Sequence, residues 1–328
     1  MTALGILWFC LIFVLIAGYF VLDGFDLGAG ALSPFVAKND RERAIVRRSI
    51  GPVWDGNEVW LLTAGGALFA AFAPAYATTF SGFYLAIMLV LMGLIVRAVS
   101  LEYRAHDPKW GRAWDILFFV GSLLPALLTG VAVGNIYAGI PLDANGDYIG
   151  IPLLGLSVFL TQGATWLSLK TPKGSDLRGR AAAMRLPLGV VSLVLFALVS
   201  VYGHFIIQPE MAPELGILRW LFAILFVVAI VGLIVMAKKG DSGDLAAFLC
   251  SSVSAVVLVG LLAASMFPNL VVNTMGENIT IATAASSDLS LAWMTGITCV
   301  GLPLVLIYHV VIYRTYRGRV TEQEAETY

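Results

Sequence analysis

Asp23-Gly24-Phe25-Asp26-Leu27-Gly28-Ala29-Gly30 closes the first apolar run of the chain, and Gly51-Pro52-Val53-Trp54-Asp55-Gly56-Asn57-Glu58-Val59-Trp60 opens the second. Each stretch carries two acids. An ionisable group at or inside a bilayer is expensive and is a functional candidate by default. Four of them, separated by about one loop, decide how the rest of the chain is read.

That rest is apolar. Of 328 residues, 59% are hydrophobic and only 12% are charged, with a mean hydropathy of +0.88. A soluble domain is roughly 45–50% apolar and about 25% charged, so the composition is that of an all-α, polytopic membrane protein. The net charge of -1 by itself says nothing about nucleic acid, but no basic cluster of the kind that binds it is present, and no nucleic-acid partner is expected. Cys10, Cys250 and Cys299 lie far apart in apolar runs. They suggest neither a disulfide framework nor a metal site, and read as small buried hydrophobes. No Lys or Arg precedes the first apolar run, so that run reads as a retained helix and not as a cleaved signal.

A membrane-spanning helix needs about 20 mostly apolar residues. Segments 4–22, 56–73, 78–96, 115–135, 151–169, 186–207, 217–237, 246–267 and 291–313 meet that description, which predicts about nine helices in one integral membrane domain, 1–328. The connections alternate. Those holding Lys38 to Arg48, Arg97 to Arg112, Lys170 to Arg185, Lys238 and Lys239, and the tail from Arg314 are basic. Segments 74–77, 136–150, 208–216 and 268–290 have no Lys or Arg. Basic loops stay cytoplasmic, so the N-terminus is expected outside and the C-terminus in the cytoplasm. The four acids then share the cytoplasmic side, with Asp23 and Asp26 at the end of helix 1 and Asp55 and Glu58 at the start of helix 2. Segment 37–52 reads as a solvated surface loop, and 268–290 as a polar outer loop.

Each motif has a plain reading beside the functional one. Gly24, Gly28 and Gly30 suit close helix packing. Asp23 and Asp26 can decorate a helix end in the headgroup region, or relay protons once desolvated. Asp55 suits a first helical turn, and Trp54 and Trp60 suit an interfacial belt. Yet Trp54 to Trp60 pack two acids, an amide and two indoles into seven positions. Arg97 falls with a solvated basic face, and Gln162 inside an apolar helix suits an interhelical hydrogen bond. His106, His204 and His309 lie at different depths, which does not favour a shared haem. Nucleotide loops, dinucleotide fingerprints and His-Glu metal pairs are missing. From the residues alone, proton relay, ion-coupled secondary transport and a purely structural assembly role all stay open. Transport is disfavoured, because the acids sit at one edge and the chain shows no long repeat.

The quoted stretches resemble subunit II of the cytochrome bd-type quinol oxidases. The resemblance continues through Thr63-Ala64-Gly65-Gly66-Ala67-Leu68-Phe69-Ala70-Ala71-Phe72, Ser81-Gly82-Phe83-Tyr84, Arg97, Trp114-Asp115 and Thr161-Gln162-Gly163-Ala164. It covers the whole length, densest over 21–135. It implies a nine-helix, haem-poor subunit in a prokaryotic cytoplasmic (inner) membrane. Its larger partner, subunit I, would carry haems b and d and oxidise quinol to reduce dioxygen to water. Small single-helix subunits and membrane lipids are further expected partners, and some relatives hold a structural quinone in this subunit. No catalytic residue is expected in this chain. The implied proton path uses Asp23, Asp26 and Asp55, with Glu58 standing where relatives can have Gln. Trp54, Asn57, Trp60, Gly24, Gly28, Arg97 and Gln162 would be structural or partner-facing.

Overall fold

The computed structural model describes residues 1–138, 152–207, 215–273, 277–321 and 323–324. Twelve α-helices follow in chain order: α1 (Ala3–Val36), α2 (Asp40–Ile50), α3 (Trp54–Ala71), α4 (Ala73–Gly82), α5 (Tyr84–Tyr103), α6 (Gly111–Ala138), α7 (Pro152–Lys170), α8 (Asp176–Tyr202), α9 (Gly216–Ala237), α10 (Asp244–Met266), α11 (Ile281–Ala284) and α12 (Asp288–Thr315). Among the described residues, seven helical segments are long and apolar enough to cross a membrane. The other two long helices, α3 and α7, are the less apolar ones. α3 carries Asp55, Asn57 and Glu58 in its first turns. α7 is rich in Thr, Ser, Gly and Gln, and is lined on four sides by α1, α6, α8 and α10. Its polar side chains meet protein on those sides.

α1 runs through the molecule. Its 34 residues span about 51 Å at ~1.5 Å per residue, well beyond a hydrocarbon core of about 30 Å. It joins three buried clusters in succession. Trp8 and Phe9 pack with Phe72 and Leu291, Tyr19 and Phe20 with Trp60, Phe159 and Phe226, and Phe25 and Val36 with Val46, Leu101 and Trp166. Lipid tails are as apolar as Leu, so close packing and polar contacts, not exclusion of water, must hold such helices together. Glycines supply the closeness. A Cβ on Gly28 would lie 1.9 Å from the Phe159 carbonyl oxygen, and one on Gly163 would lie 2.2 Å from the Gly28 carbonyl carbon. α1 and α7 therefore touch backbone to backbone. Hydroxyls supply the polar contacts, as between Thr165 and Ser251 (2.9 Å) and between Ser192 and Ser157 (3.0 Å).

Four sequence expectations need correction. Helix 1 does not end at 22 but runs on to Val36, because Gly, Ala and Leu after Asp26 continue a buried helical face. Segment 78–96 straddles a break at Phe83, and the helix after it reaches Tyr103. The expected loop 37–52 contains α2, capped by Asn39, whose side chain accepts the Glu42 amide. Asp40 and Glu42 in its first turn and Arg47 and Arg48 in its last suit the helix dipole. Ile45, Val46 and Ile50 are buried under it. Finally, Cys10 and Cys299 are exposed on helix faces rather than buried.

Segment 268–290 includes a short antiparallel pair, β1 (Asn269–Val271) with β2 (Ile279–Thr280), leading into α11. Thr280 and Thr283 cap that helix reciprocally. Ile281 seats against Gly5 of α1. The expected outer loops 136–150 and 208–216 fall largely outside the described residues.

The basic connections gather at one end of the bundle. Arg180 pairs with Glu42 (2.6 Å), and Arg47 and Arg104 with Asp115 (2.9 and 3.1 Å). Arg178, Arg185 and Arg319 converge on buried Asp244 (2.9, 2.8 and 2.8 Å). The tail closes the network. Lys170 donates to the carbonyls of Tyr316 and Gly318, and Arg319 donates to those of Ser168 and Thr171.

Candidate functional site

Asp23 and Asp26 are fully buried, in the body of α1 and not at its end. Their partner is Arg97, also fully buried, in the body of α5. The expectation that Arg97 belongs to a solvated basic loop is therefore overturned. The residues around it are apolar and α5 continues past it, so a charge there must find its counter-charge inside the protein. The same Arg97 nitrogen, Nη2, donates to Asp23 Oδ1 (2.7 Å) and to Glu58 Oε1 (2.5 Å). Glu58 leans outward, with its side chain 20% exposed. The arrangement is graded: a half-buried acid, a buried cation, then a buried acid.

Asn57 ties in the second acid of α1. Its Nδ2 donates to Asp26 Oδ2 (2.7 Å) and to the Leu22 carbonyl (3.2 Å). Its Oδ1 accepts from the Tyr313 hydroxyl of α12 (2.9 Å). One amide thus joins α1, α3 and α12. Three of the four acids come together in this way. Asp55 stands apart on the exposed first turn of α3, where its carboxylate accepts the neighbouring Gly56 amide (2.8 Å). It precedes Glu58 by three residues, a spacing that shares a helix face.

One guanidinium can neutralise one carboxylate, yet Arg97 pairs with two carboxyls, and the charge of a third, Asp26, is close enough to act on it. An uncompensated buried charge is costly, so the cluster is neutral only when it also holds protons. Several of its polar atoms are buried without a hydrogen-bond partner: Asp23 Oδ2, Asp26 Oδ1, and Arg97 Nε and Nη1. Carboxyls held in this way are the kind of group that can exchange protons.

Around it stand the remaining residues singled out by sequence. Trp60 is not an interfacial aromatic: it is buried between Gly18 of α1 and His309 of α12. Its Nε1 donates to His309 Nε2 (3.2 Å), so His309 Nδ1 carries the proton and donates to the Val305 carbonyl (2.9 Å). Trp54 is half-buried against the cluster that includes Phe25 and Trp166. Gly24 faces Gln162, where a Cβ would lie 2.4 Å from Gln162 Oε1. The interhelical hydrogen bond expected of Gln162 is not made, and both polar atoms of its amide are buried without a partner.

Tyr313 and Tyr19 belong to the same region and escaped the sequence reading. Tyr19 precedes Asp23 by one helical turn, a spacing that could have flagged it. Tyr313 had no such signal, since only folding brings it to Asn57.

Both nitrogens of His309 are engaged, and His106 and His204 are exposed. Among the described residues no group of three His, Cys, Asp or Glu could hold a metal.

Fold and site together define a polytopic helical membrane protein that buries a carboxylate–guanidinium cluster among its first long helices. The family model for cytochrome bd terminal oxidase subunit II matches residues 4–316, and the chain belongs to that family. The cytochrome bd-I ubiquinol oxidase subunit 2 of Escherichia coli (strain K12) is 35% identical over 372 residues, covering 98% of this chain and 97% of that protein. The cytochrome bd ubiquinol oxidase subunit 2 of Bacillus subtilis (strain 168) is 34% identical over 344 residues, covering 100% of both. A chain of the bd oxidase from Geobacillus thermodenitrificans has the same fold, with a TM-score of 0.76 over 96% of this chain and 99% of that one, at 14% identity.

Proposed function

We propose that this chain is the haem-poor subunit of a quinol:oxygen oxidoreductase and that it delivers protons to a larger subunit I, which carries haems b and d. Oxygen reduction in a low-dielectric interior consumes protons that must arrive with the electrons, since unbalanced charge there is expensive. Asp55 and Glu58 would collect protons at the basic end of the bundle, and Asp23 and Asp26 would hold them in the interior. Arg97 is the fixed charge that lets more than one carboxyl stay buried. The observation that carries this reading is the single Arg97 nitrogen shared by buried Asp23 and partly exposed Glu58.

The same reading sets the chain in a prokaryotic cytoplasmic membrane as one integral domain with nine spans. Its N-terminus would lie outside and its basic end in the cytoplasm. What supports nine is that α3 and α7, with 18 and 19 residues, still fall within the length that can span a bilayer and pack against the other long helices. Their lower hydropathy follows from what they carry and where they pack.

Asp26→Asn and Asp55→Asn in the assembled oxidase test the proposal. Both variants should lower quinol-driven oxygen consumption while the haem spectrum and subunit ratio stay normal. Full activity across the pH range would refute the proton role. Loss of haem and of subunit I together would favour a purely structural role for the acids. Substrate uptake by vesicles holding this chain alone would favour a transporter.

A further inference from the structure

Where α1 ends, a cavity of about 200 Å³ opens between its last turn, α2 and the start of α6. One wall is charged, formed by Arg43, Arg47, Arg112 and Asp115; the other is apolar, with Ile116 and Phe119. The charges do not balance. Asp115 engages Arg47 (2.9 Å), Arg104 (3.1 Å) and Arg43 (3.6 Å). Exposed Asp40 engages Arg43 (2.9 Å) and Arg104 (3.4 Å). Arg112 is exposed and has no hydrogen bond or ion pair among the described residues. Four guanidiniums therefore face two carboxylates.

Burial, with Arg104 and Arg43 close by, pushes the Arg47 guanidinium down to about 10 against the pull of Asp115. It remains charged at neutral pH, and the excess positive charge remains with it.

The apolar wall continues outward. Ile116 is 53% exposed and Phe35 is 55% exposed, and Phe35 meets Phe119 edge to face with ring centroids 6.2 Å apart. Arg112 and Ile116 are one turn apart on α6. The charged wall thus adjoins the apolar ridge as a headgroup phosphate adjoins its acyl chains.

We propose that this cavity is a binding site for an anionic phospholipid, with the phosphate against Arg43, Arg47 and Arg112 and the acyl chains along Ile116 and Phe119. Basic pockets between membrane helices suit such headgroups. The apolar ridge gives a lipid a contact that free phosphate cannot make.

The test is native mass spectrometry of the assembled oxidase during stepwise delipidation and after adding phosphatidylglycerol. Each basic residue near a membrane surface contributes about 1 kcal/mol to anionic-lipid binding, or about fivefold. Arg112→Gln should therefore lower phosphatidylglycerol retention about fivefold, and Arg43→Gln with Arg112→Gln by more. Lys109→Gln removes the same charge from an exposed position outside the cavity and should retain wild-type binding. Arg112 makes no hydrogen bond or ion pair among the described residues, so its replacement should leave the fold intact, which an unchanged haem spectrum verifies. Equal retention by wild type and Arg112→Gln would overturn the proposal. Equal retention of phosphatidylcholine would overturn its electrostatic basis. Equal thermal stabilisation by inorganic phosphate alone would reassign the cavity to a free anion and overturn the lipid assignment.

Discussion

Arg97 has the most at stake of any single residue. It is fully buried and is the ion-pair partner of both Asp23 and Glu58. Removing one member of a buried pair leaves an uncompensated charge, which costs about 3–5 kcal/mol. Arg97→Gln should lower the thermal stability of the assembled complex by that order, read as a drop in unfolding temperature and in yield. Arg97→Lys keeps the charge without the planar fork and should recover part of the loss. Asn57 is the second sensitive position. Asn57→Leu removes the donor to Asp26 and the acceptor from Tyr313. It should cost about 1–3 kcal/mol through the groups left unsatisfied, measured in the same melts. At this scale the sequence identified the acids and the amide, because acids in an apolar run announce themselves. It could not identify their neutraliser. Arg97 stands next to a basic loop in the chain, and its inward direction depends on α5 continuing past it.

At the scale of the helix pair, the α1–α7 contact rests on Gly28 and Gly163. The atoms facing them are backbone and cannot swing aside. Gly28→Ala must separate the helices, and overpacking of this kind costs about 1–3 kcal/mol. Gly66→Ala on α3 meets nothing within 4 Å and should be neutral or slightly stabilising through helix propensity. Paired melting curves of the two variants check the contrast. The glycine spacing in α1 was legible as a packing signal, but its counterpart on α7 was not, because the register between two helices is a tertiary property. α2 was missed for a related reason. Its surface is rich in Arg and acids, and its buried Ile45, Val46 and Ile50 matter only once α1 and α7 supply something to bury them against.

Across the whole molecule, one ion-pair group ties α8, α10 and the C-terminal tail together. Asp244 is its hub, buried and shared by Arg178, Arg185 and Arg319. Asp244→Ala should destabilise by about 3–5 kcal/mol, because three guanidiniums lose their common counter-charge. Arg319→Ala breaks a milder link. Losing its charged hydrogen bonds should cost about 1.5–3 kcal/mol and make the tail after Tyr316 sensitive to protease, which limited digestion in detergent would reveal.

Composition, apolar run lengths and the alternation of basic and bare loops determined the class of protein, its long helices and the stretch that holds its acids. These are local properties, and hydropathy and helical period are written residue by residue. Only the tertiary structure decided which acids meet, that Arg97 pairs with Asp23 and Glu58, that Tyr313 closes the cluster and that Asp55 stands outside it. Those contacts join residues far apart in the chain. They exist because glycines let particular helices approach and because a buried charge must find its partner wherever the fold supplies one.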